Sequence, residues 1–365
     1  MAATELFIGL MSGTSMDGVD AALVEISAAR LQTVASDYQP FPADIRHDAA
    51  GLLDAGHDDL HRSALLGNQL ARLYANAVSG VLGKAGLPPE SVRAIGCHGQ
   101  TLRHRPDLGY TIQINNPALL AELSGICVIA DFRSRDVAAG GQGAPLVPAA
   151  HDALFRSPTL HRVILNLGGI ANLTNLAPGG ATAGFDCGPA NVLLDAWAAE
   201  HLGQPYDRAG QWAKTGKSLP DLLDRLLTHP FFCTAPPKSC GHEQFNTAWL
   251  KSQLTGAEAP ADVQATLVAL SAICAAQAIQ RWCGTPSELY VCGGGAHNDA
   301  LMGALDETMP NVKMAFTDAL GIAADCVEAV AFAWLAHRCL QNLPGNLPAV
   351  TGARGPRILG AIYPA

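Results

Sequence analysis

The amino-acid sequence predicts an α/β protein built from two domains. Its 365 residues exceed the roughly 250–300 residues at which a single hydrophobic core stops growing. Segments with strand character alternate with segments of helical periodicity, which is typical of mixed α/β architecture. An order of strand, glycine-rich turn, strand, strand and helix occurs near the N-terminus and again after residue 160. This repetition predicts two lobes built on one plan.

The first lobe is predicted to open with a three-stranded meander. β-branched and apolar residues between turn signals indicate strands, and apolar residues at helical spacing indicate helices. The predicted strands are Leu6–Met11, Val19–Ile26, Leu31–Tyr38, Val92–Cys97, Thr111–Ile114 and Cys127–Ala130, and the predicted helices are Leu60–Ala85 and Pro117–Gly125. The segment Asp131–Pro148 is rich in Gly, Pro and charge, which predicts a functional loop that connects the lobes.

The second lobe is predicted to repeat the series of strands and then to add helices. Its predicted strands are Arg162–Leu167, Ala171–Leu176, Ala181–Phe185, Glu288–Val291 and Val312–Phe316, and its helices are one from near Pro189, then Leu219–Leu227, Ala261–Trp282, Asn298–Thr308 and Ala323–Leu340. Residues 229–246 are rich in Pro and aromatic residues, which predicts an ordered excursion. The C-terminal tail is predicted to return to the first lobe. The first lobe would then comprise residues 1–135 with about 345–365, and the second residues 136–344.

Composition and charge exclude several function classes. The chain is 49% hydrophobic and 15% charged, as expected for a globular protein. A net charge of −9 and the absence of a Lys/Arg run argue against a nucleic-acid partner. The N-terminal apolar run is too short for a signal peptide or membrane span. Ten scattered cysteines without a CxxC pair indicate reduced thiols, so we expect a cytoplasmic protein without a Cys/His metal site.

The stretch FIGLMSGTSMDGVDAALVEI (Phe7–Ile26) carries the first functional signal. A glycine-rich turn after a strand usually precedes a helix at nucleotide sites, but here alternating, β-branched residues follow and predict a hairpin. Backbone N–H groups at such a turn can form an anion-binding nest. Asp17 and Asp20 would repel phosphate unless Mg²⁺ lies between, and Mg²⁺ takes one or two carboxylates with phosphate oxygens. No lysine precedes Lys84, so backbone donors and Mg²⁺ must bind the phosphates.

Two more glycine turns follow strands. NLGGIAN (Asn166–Asn172) lies between two strands, and VCGGGAHN (Val291–Asn298) follows a strand and opens a helix. The first can touch phosphate, and the second lets backbone approach a base or ribose near a helix N-terminus. Each alone is more often an ordinary turn, and the set of three points to a nucleotide. The one GKS, in GQWAKTGKS (Gly210–Ser218), has five residues between its glycines instead of four and is rejected as a Walker loop.

Taken together, these segments resemble the anhydro-N-acetylmuramic acid kinase family of the actin/Hsp70/sugar-kinase superfamily. The motifs that carry the resemblance stand in family order along nearly the whole chain. They are MSGTSMDGVD, GCHGQTLRH, IQINNPALLAELSGI, VIADFRSRDVAAGGQGAPLVP, NLGGIANLT, GFDCGPANVLLDAW, YVCGGGAHN and LGAIYPA.

The resemblance implies two ribonuclease-H-like lobes with an intervening cleft for ATP and sugar. It implies a kinase of cell-wall recycling that uses ATP and Mg²⁺, opens the 1,6-anhydro ring of anhydro-N-acetylmuramic acid with water and phosphorylates O6, giving N-acetylmuramic acid 6-phosphate and ADP. A homodimer is the family expectation. The expected nucleotide-binding residues are Gly13, Thr14, Ser15, Met16, Asp17, Gly18, Val19, Asp20, Asn166, Gly168, Gly169, Gly293, Gly294 and Gly295, with Asp17 as the Mg²⁺ residue.

The family's general base corresponds to the Asp of GFDCGP, Asp186. The residue pattern agrees, because Asp186 ends a predicted strand before Cys187-Gly188-Pro189, and a strand end is where a catalytic carboxylate is expected. Attack of water on the anomeric carbon needs a base. The alternative for Asp186 alone is an N-cap or turn residue.

Four further residues are candidates for the sugar site. Arg133 and Asp131 follow a strand, where the guanidinium can hold the lactyl carboxylate; alternatively the two pair with each other. Glu328 interrupts an apolar helix and can bind sugar hydroxyls, or it lies at a solvated helix edge. His98 lines the sugar pocket, or it is hydrogen-bonded in the core. The rival functions are an ATPase without a sugar acceptor, a sugar hydrolase that needs no nucleotide, and a noncatalytic sugar-binding protein.

Overall fold

Strand-forming and helix-forming segments assemble into two units. The computed structural model describes residues 4–13, 16–27, 31–241 and 243–365. The first unit comprises residues 1–154 and 326–365, and the second comprises residues 155–325. Each unit contains its own sheet, which confirms the predicted α/β class with two lobes.

The described part of the chain contains thirteen strands and twelve α-helices. The strands are β1 (Glu5–Met11), β2 (Gly18–Ile26), β3 (Leu31–Pro40), β4 (Val92–Cys97), β5 (Gln100–Arg105), β6 (Tyr110–Ile114), β7 (Val128–Ala130), β8 (Arg162–Leu167), β9 (Ile170–Leu176), β10 (Ala183–Pro189), β11 (Glu288–Cys292), β12 (Lys313–Phe316) and β13 (Ala361–Tyr363). The helices are α1 (Ala43–Ala50), α2 (Asp59–Ala85), α3 (Pro117–Ser124), α4 (Ser134–Ala138), α5 (Val147–Phe155), α6 (Asn191–Leu202), α7 (Pro220–Leu227), α8 (Thr247–Gln253), α9 (Pro260–Trp282), α10 (Asp299–Thr308), α11 (Val327–Leu340) and α12 (Pro348–Thr351).

The two large sheets share one topology, and β5 and β6 form a separate two-stranded sheet. In the first unit the order is β13-β7-β4-β1-β2-β3, with β1, β2 and β3 antiparallel and β4 and β7 parallel to β1. In the second unit the order is β10-β9-β8-β11-β12, with β8, β9 and β10 antiparallel and β11 and β12 parallel to β8. Numbered within each sheet, both follow the order third, second, first, fourth, fifth, and the first sheet adds β13 as a sixth strand. This identity confirms the prediction of two lobes built on one plan.

Two helices cover the two faces of the first sheet. One face carries Ile8, Leu10, Val19 and other apolar side chains that share a core with α2. On the other face, α11 approaches the backbone of β1 and β4 at Gly9 and Gly96, where an added Cβ would overlap carbonyl groups of α11. Any larger side chain would therefore push α11 off the sheet.

The packing of α11 places the boundaries of the units differently from the prediction. Residues 326–344 belong to the first unit because α11 lies on its sheet, and residues 136–154 belong there as well. The fully buried carboxylate of Asp136 accepts hydrogen bonds from Gly143 N, Asn346 Nδ2 and Thr351 Oγ1 at 2.8, 2.6 and 2.8 Å. The predicted loop after Asp131 contains α4 and the start of α5. The return of the tail is confirmed, since β13 pairs with β7.

The core of the second unit is built around α9. This helix packs against β10, α6, α7 and α10. Within the described residues it is the one helix whose length and apolar composition would suit a membrane span, but most of its apolar stretch is buried inside the unit. Burial of this kind is typical of a core helix.

Candidate active site

The turn between β1 and β2 forms the predicted hairpin. The strands pair up to Met11 opposite Asp20, and Gly13, Met16 and Asp17 lie in the turn. Thr14 and Ser15 lie outside the described residues. The carbonyl of Gly13 accepts hydrogen bonds from Met16 N at 3.3 Å and from Gln100 Nε2 at 3.0 Å. Gln100 is fully buried on β5, so the turn is fixed from beneath by a second element.

Buried hydroxyl groups support the same turn. Ser12 Oγ lies 2.8 Å from the hydroxyl of Tyr74 on α2 and donates to the carbonyl of Gly99 at 3.1 Å. Phe41 N donates to the carbonyl of Asp17 at 2.8 Å. The base of the hairpin is therefore held by hydrogen bonds from three other segments, which favours a preorganised backbone.

Four predicted nucleotide residues of the hairpin have different surroundings. A Cβ at Gly18 would lie 2.6 Å from Gln39 O and from the Tyr38 ring, so this glycine is required by the approach of β3. Val19 is fully buried in the core. Asp20 is half-buried on β2, and Asp17 is exposed in the turn. Asp17 is thus the carboxylate that solvent and a hydrated ion can reach.

A polar cluster, in which His98 is buried and Arg133 and Glu328 are half-buried, lies on the α11 side of the first sheet. Arg133 Nε donates to His98 Nε2 at 2.9 Å, and Arg133 Nη1 donates to the carbonyl of Gly143 at 2.7 Å. His98 is 3% exposed, and its ring packs 4.7 Å from the Phe332 ring. Burial, together with the nearby guanidinium, holds the pKa of His98 well below its usual value. His98 is therefore neutral and accepts at Nε2, which places its proton on Nδ1.

Glu328, at the start of α11, completes this cluster. Burial raises the pKa of its carboxyl, and the charge of Arg133 opposes that shift. Burial lowers the pKa of Arg133 to about 10, while Glu328 and Asp136 act in the opposite direction. Arg133 therefore stays protonated at neutral pH. The structure brings three of the residues predicted for the sugar site, His98, Arg133 and Glu328, into one cluster.

Asp131 stands apart from this cluster. It is exposed, has a left-handed backbone with φ of 57°, and accepts a hydrogen bond from Ser134 N at 3.3 Å. Its role in the structure is to begin the turn into α4. Arg133 bonds to His98 and Gly143 instead of pairing with Asp131, which was the alternative.

In the second unit, Asp186 lies within β10 instead of at its end. The register with β9 shifts between Asp186 and Gly188, so a β-bulge follows the residue directly. Bulges re-aim a side chain and are common beside active sites. Cys240 N donates to Asp186 Oδ2 at 2.9 Å, and Asp186 N donates to the carbonyl of Lys238 at 3.2 Å. The helix that follows begins at Asn191, so the N-cap alternative does not apply.

The surroundings of Asp186 suit a general base. Burial raises its pKa to about 6, opposed by the Cys240 hydrogen bond and the Lys238 charge and supported by the Glu243 charge. A carboxyl with this pKa is ionised at neutral pH and is more basic than an exposed aspartate. General bases are tuned in this direction.

The turn between β8 and β9 holds the second glycine pair. The carbonyls of Gly168 and Gly169 accept hydrogen bonds from the first residues of α6, and Asn191 Nδ2 donates to Leu167 O and Gly168 O at 2.9 Å each. An added Cβ at either glycine would meet nothing closer than 3.6 Å. The protein itself therefore leaves space above this turn.

In the third glycine turn, after β11, neighbouring residues require two of the three glycines and leave space at the other. A Cβ at Gly293, whose φ is 83°, would overlap Asn166 Oδ1, and a Cβ at Gly295 would lie 2.6 Å from Leu167 Cβ. These two glycines and Asn166, which is buried, join the turn to β8. Gly294 is exposed with no neighbour within 4 Å of its Cβ position. No described neighbour therefore requires glycine at position 294, and the turn leaves open space there.

Sequence reasoning did not single out Lys238 and Cys240 as site residues. They lie in the 229–246 excursion, more than fifty positions from Asp186, and no local motif marks them. Gln100 stands two residues after His98 in the GCHGQTLRH motif, and its bond to the hairpin turn could not be predicted from the sequence. Across the described residues, no group of three His, Cys, Asp or Glu side chains suited to a metal is found.

Comparisons with known proteins point in one direction. A family model described as anhydro-N-acetylmuramic acid kinase matches residues 5–365. Proteins of that name from Nitrosospira multiformis and Nitrosomonas europaea are 56% and 51% identical, each over 98% of this chain and 99% of the relative. The ADPNP-bound activator of the 2-hydroxyisocaproyl-CoA dehydratase from Clostridium difficile is similar with a TM-score of 0.49 and 14% identity, covering 92% of this chain and 96% of that chain. This last likeness is too distant to carry a conclusion.

Proposed function

The chain belongs to the anhydro-N-acetylmuramic acid kinase family, and from this premise we propose how its residues perform the family's reaction. The reaction consumes ATP and water, opens the 1,6-anhydro ring of anhydro-N-acetylmuramic acid and gives N-acetylmuramic acid 6-phosphate and ADP. It serves the recycling of peptidoglycan. The observation that carries the assignment of roles is the half-buried Asp186 carboxylate, which accepts a hydrogen bond from Cys240 N and directly precedes a β-bulge.

Asp186 acts as the general base. Its carboxylate takes a proton from water as the water oxygen bonds to the anomeric carbon and the bond from that carbon to O6 breaks. The departing O6 bonds to the γ-phosphorus of ATP, and ADP leaves. Because the base must be ionised, kcat/KM falls as the pH drops below about 6.

The glycine turns bind the nucleotide. The preorganised turn at Gly13 presents backbone to the phosphates, Gly168 and Gly169 leave room for phosphate in the second unit, and Gly294 leaves room beside a base or ribose. Phosphoryl transfer needs chiefly positioning and charge neutralisation. Mg²⁺ supplies charge neutralisation when bound, and the exposed Asp17 would hold it, directly or through water.

His98, Arg133 and Glu328 bind the sugar. The guanidinium of Arg133 stays charged and uses two of its N–H groups on His98 and Gly143, and we assign its remaining N–H groups to the lactyl carboxylate. Glu328 accepts from sugar hydroxyls. Asp131, which is exposed on the same segment, contacts the rim of the sugar.

The test is to incubate the protein with Mg-ATP and anhydro-N-acetylmuramic acid and to measure the molecular mass of the sugar product. We expect its mass to increase by one phosphoryl group and one water molecule, with one ADP formed per sugar. Asp186→Asn should fold, bind ATP and lose most turnover. ATP consumption without added sugar would favour the ATPase alternative, and ring opening without ATP would favour the hydrolase. Turnover by Asp186→Asn near that of the wild type would refute the assigned base.

Location and assembly are further parts of the proposal. All ten cysteines are unpaired, which supports a cytoplasmic protein. A homodimer is proposed on the expectation for the family. Sedimentation equilibrium checks this, and a single-chain mass at micromolar concentration would contradict it.

A further inference from the structure

The 229–246 excursion covers the open edge of the second sheet at the point where Asp186 lies. β10 is an edge strand. Two hydrogen bonds join the excursion to Asp186 itself, one from the Asp186 backbone N–H to Lys238 O at 3.2 Å and one from the Cys240 N–H to Asp186 Oδ2 at 2.9 Å. The excursion therefore contacts both the main chain and the side chain of the candidate base.

An aromatic cluster holds the excursion in place. The rings of Phe232 and Phe245 are stacked with centroids 5.6 Å apart, and His229 and Trp249 pack against Phe245 at 4.8 and 5.2 Å. A Cβ at Gly188 would lie 2.7 Å from Phe232 Cε1. The Phe232 ring thus packs directly on the strand two residues beyond Asp186, and the cluster fixes the excursion relative to the carboxylate.

The ammonium group of Lys238, whose charge acts on Asp186, is held by Phe231, and the Phe231 ring packs against Phe245 with centroids 5.8 Å apart. Lys238 is half-buried, its Nζ donates to Phe231 O at 3.1 Å, and it lies 4.5 Å from the centroid of the Phe231 ring. A carbonyl and an aromatic face are both favourable neighbours for a cation. The positive charge is therefore anchored instead of extending into solvent.

The other ionisable groups around Asp186 and Lys238 differ in charge and in protonation state. Glu243, on the excursion, raises the pKa of Asp186, whereas Lys238 lowers it. The thiols of Cys187 and Cys240 have pKa values raised chiefly by burial and are neutral at physiological pH. Arg281, on α9, acts on Lys238 as a like charge. His242 lies outside the described residues.

We propose that the Cys240 amide and the Lys238 ammonium are positioning groups for the catalytic base, the amide fixing the orientation of the Asp186 carboxylate and the ammonium keeping it ionised. The proposal rests on the assignment of Asp186 as the base. Its physical reason is that burial alone disfavours the charged form of a carboxyl group. A hydrogen bond from a backbone amide and a nearby positive charge both favour that form.

The proposal predicts a change in pH dependence when the charge of Lys238 is removed. In Lys238→Met the stem keeps its contact with the Phe231 ring and the ammonium is lost. The pKa of Asp186 then rises, so the acid limb of the pH profile of kcat/KM should move to higher pH by about half a unit or more. On the acid side of the profile this shift lowers kcat/KM about threefold. At pH 8.5 the variant should approach wild-type activity, because the carboxylate is ionised there in both proteins.

Three further variants complete the test. Lys238→Arg keeps the charge and should restore the wild-type limb. Lys251→Met removes a surface lysine of the same unit, paired with Glu200 at 2.7 Å, and should leave the profile unchanged. Lys238→Gln is measured in parallel and should shift the limb as Lys238→Met does, so that the prediction does not depend on one variant folding. Circular dichroism and tryptophan fluorescence check the fold of each.

An acid limb that stays in place in both neutral variants would overturn the proposal. So would a uniform loss of activity at every pH that Lys238→Arg fails to restore, since that result is expected of a purely structural lysine. The outcome for Asp186→Asn distinguishes a failure of the assigned base from a failure of the positioning role. If that variant retains turnover, the assignment of the base fails; if it is inactive and Lys238→Met shows no shift, only the positioning role fails.

Discussion

Replacing Asp186 by Asn should make the protein inactive and more stable at neutral pH. The native carboxyl has a pKa of about 6 against 3.8 for an ordinary aspartate, because it is buried. An ionised Asp186 therefore costs folding free energy, and an amide of the same shape does not. Asn Oδ1 can still accept the hydrogen bond from Cys240 N.

The size of the effect follows from the pKa shift. One pKa unit corresponds to about 1.4 kcal/mol, so a shift of about two units sets an upper bound of about 3 kcal/mol for the gain in unfolding free energy above pH 7. A carboxyl whose native pKa is raised destabilises above the native value and has no effect below the unfolded value. The gain should therefore shrink to about 1 kcal/mol near pH 4.5.

Urea unfolding at pH 7.5 and pH 4.5 measures this difference. Tryptophan fluorescence reports chiefly on the second unit, which contains four of the five tryptophans, Trp197, Trp212, Trp249 and Trp282. We expect Asp186→Asn to have the higher unfolding midpoint at pH 7.5, with a smaller advantage at pH 4.5. A variant that is less stable at pH 7.5, or an advantage independent of pH, would refute the reasoning that burial raises this pKa.

Three other predictions concern the binding groups. Gly294→Val adds a side chain where the structure leaves open space, so it should fold normally and weaken ATP-analogue binding at least about tenfold by calorimetry; unchanged affinity would place the nucleotide elsewhere. Arg133→Lys loses the Nε bond to His98 and the guanidinium fork, so steady-state kinetics should show a sugar KM raised about tenfold with the ATP KM unchanged; the reverse pattern would contradict a sugar role. Gln100→Met removes the bond to Gly13 O and should raise the ATP KM severalfold while the sugar KM stays constant; a change in the sugar KM alone would disprove support of the hairpin.

Local sequence patterns predicted most helices and strands, because the residues within each segment largely determine its secondary structure. The strands at Val92–Cys97 and Arg162–Leu167 were predicted with the bounds that the structure has. The strand Gln100–Arg105 was missed because QTLRHR has a single large apolar residue, and its form depends on pairing with β6. Helix α4 was missed inside a segment whose glycines and prolines predict a loop, and α5 begins at the end of that segment.

Features that depend on distant contacts could not be predicted. The boundaries of the units follow from the close approach of α11 to Gly9 and Gly96, which the apolar pattern of the helix does not reveal. Asp186 was predicted from the family motif, but its position at a bulge and its bond to Cys240 are tertiary facts. For Gly18 the sequence suggests a ligand, whereas the structure shows the approach of β3.

The two units share one sheet topology but place an aspartate in different electrostatic surroundings. The third strand of each sheet carries an aspartate, Asp37 on β3 and Asp186 on β10. Burial acts to raise the pKa of Asp37, but hydrogen bonds from Lys84, 2.8 Å away, and from Gln39 outweigh it, so that pKa is lowered. At Asp186 the nearby ammonium of Lys238 donates to Phe231 O instead, and burial prevails. A lysine bonded directly to the carboxylate makes a structural ion pair, whereas a lysine held back by a carbonyl leaves a carboxylate basic enough to take a proton from water.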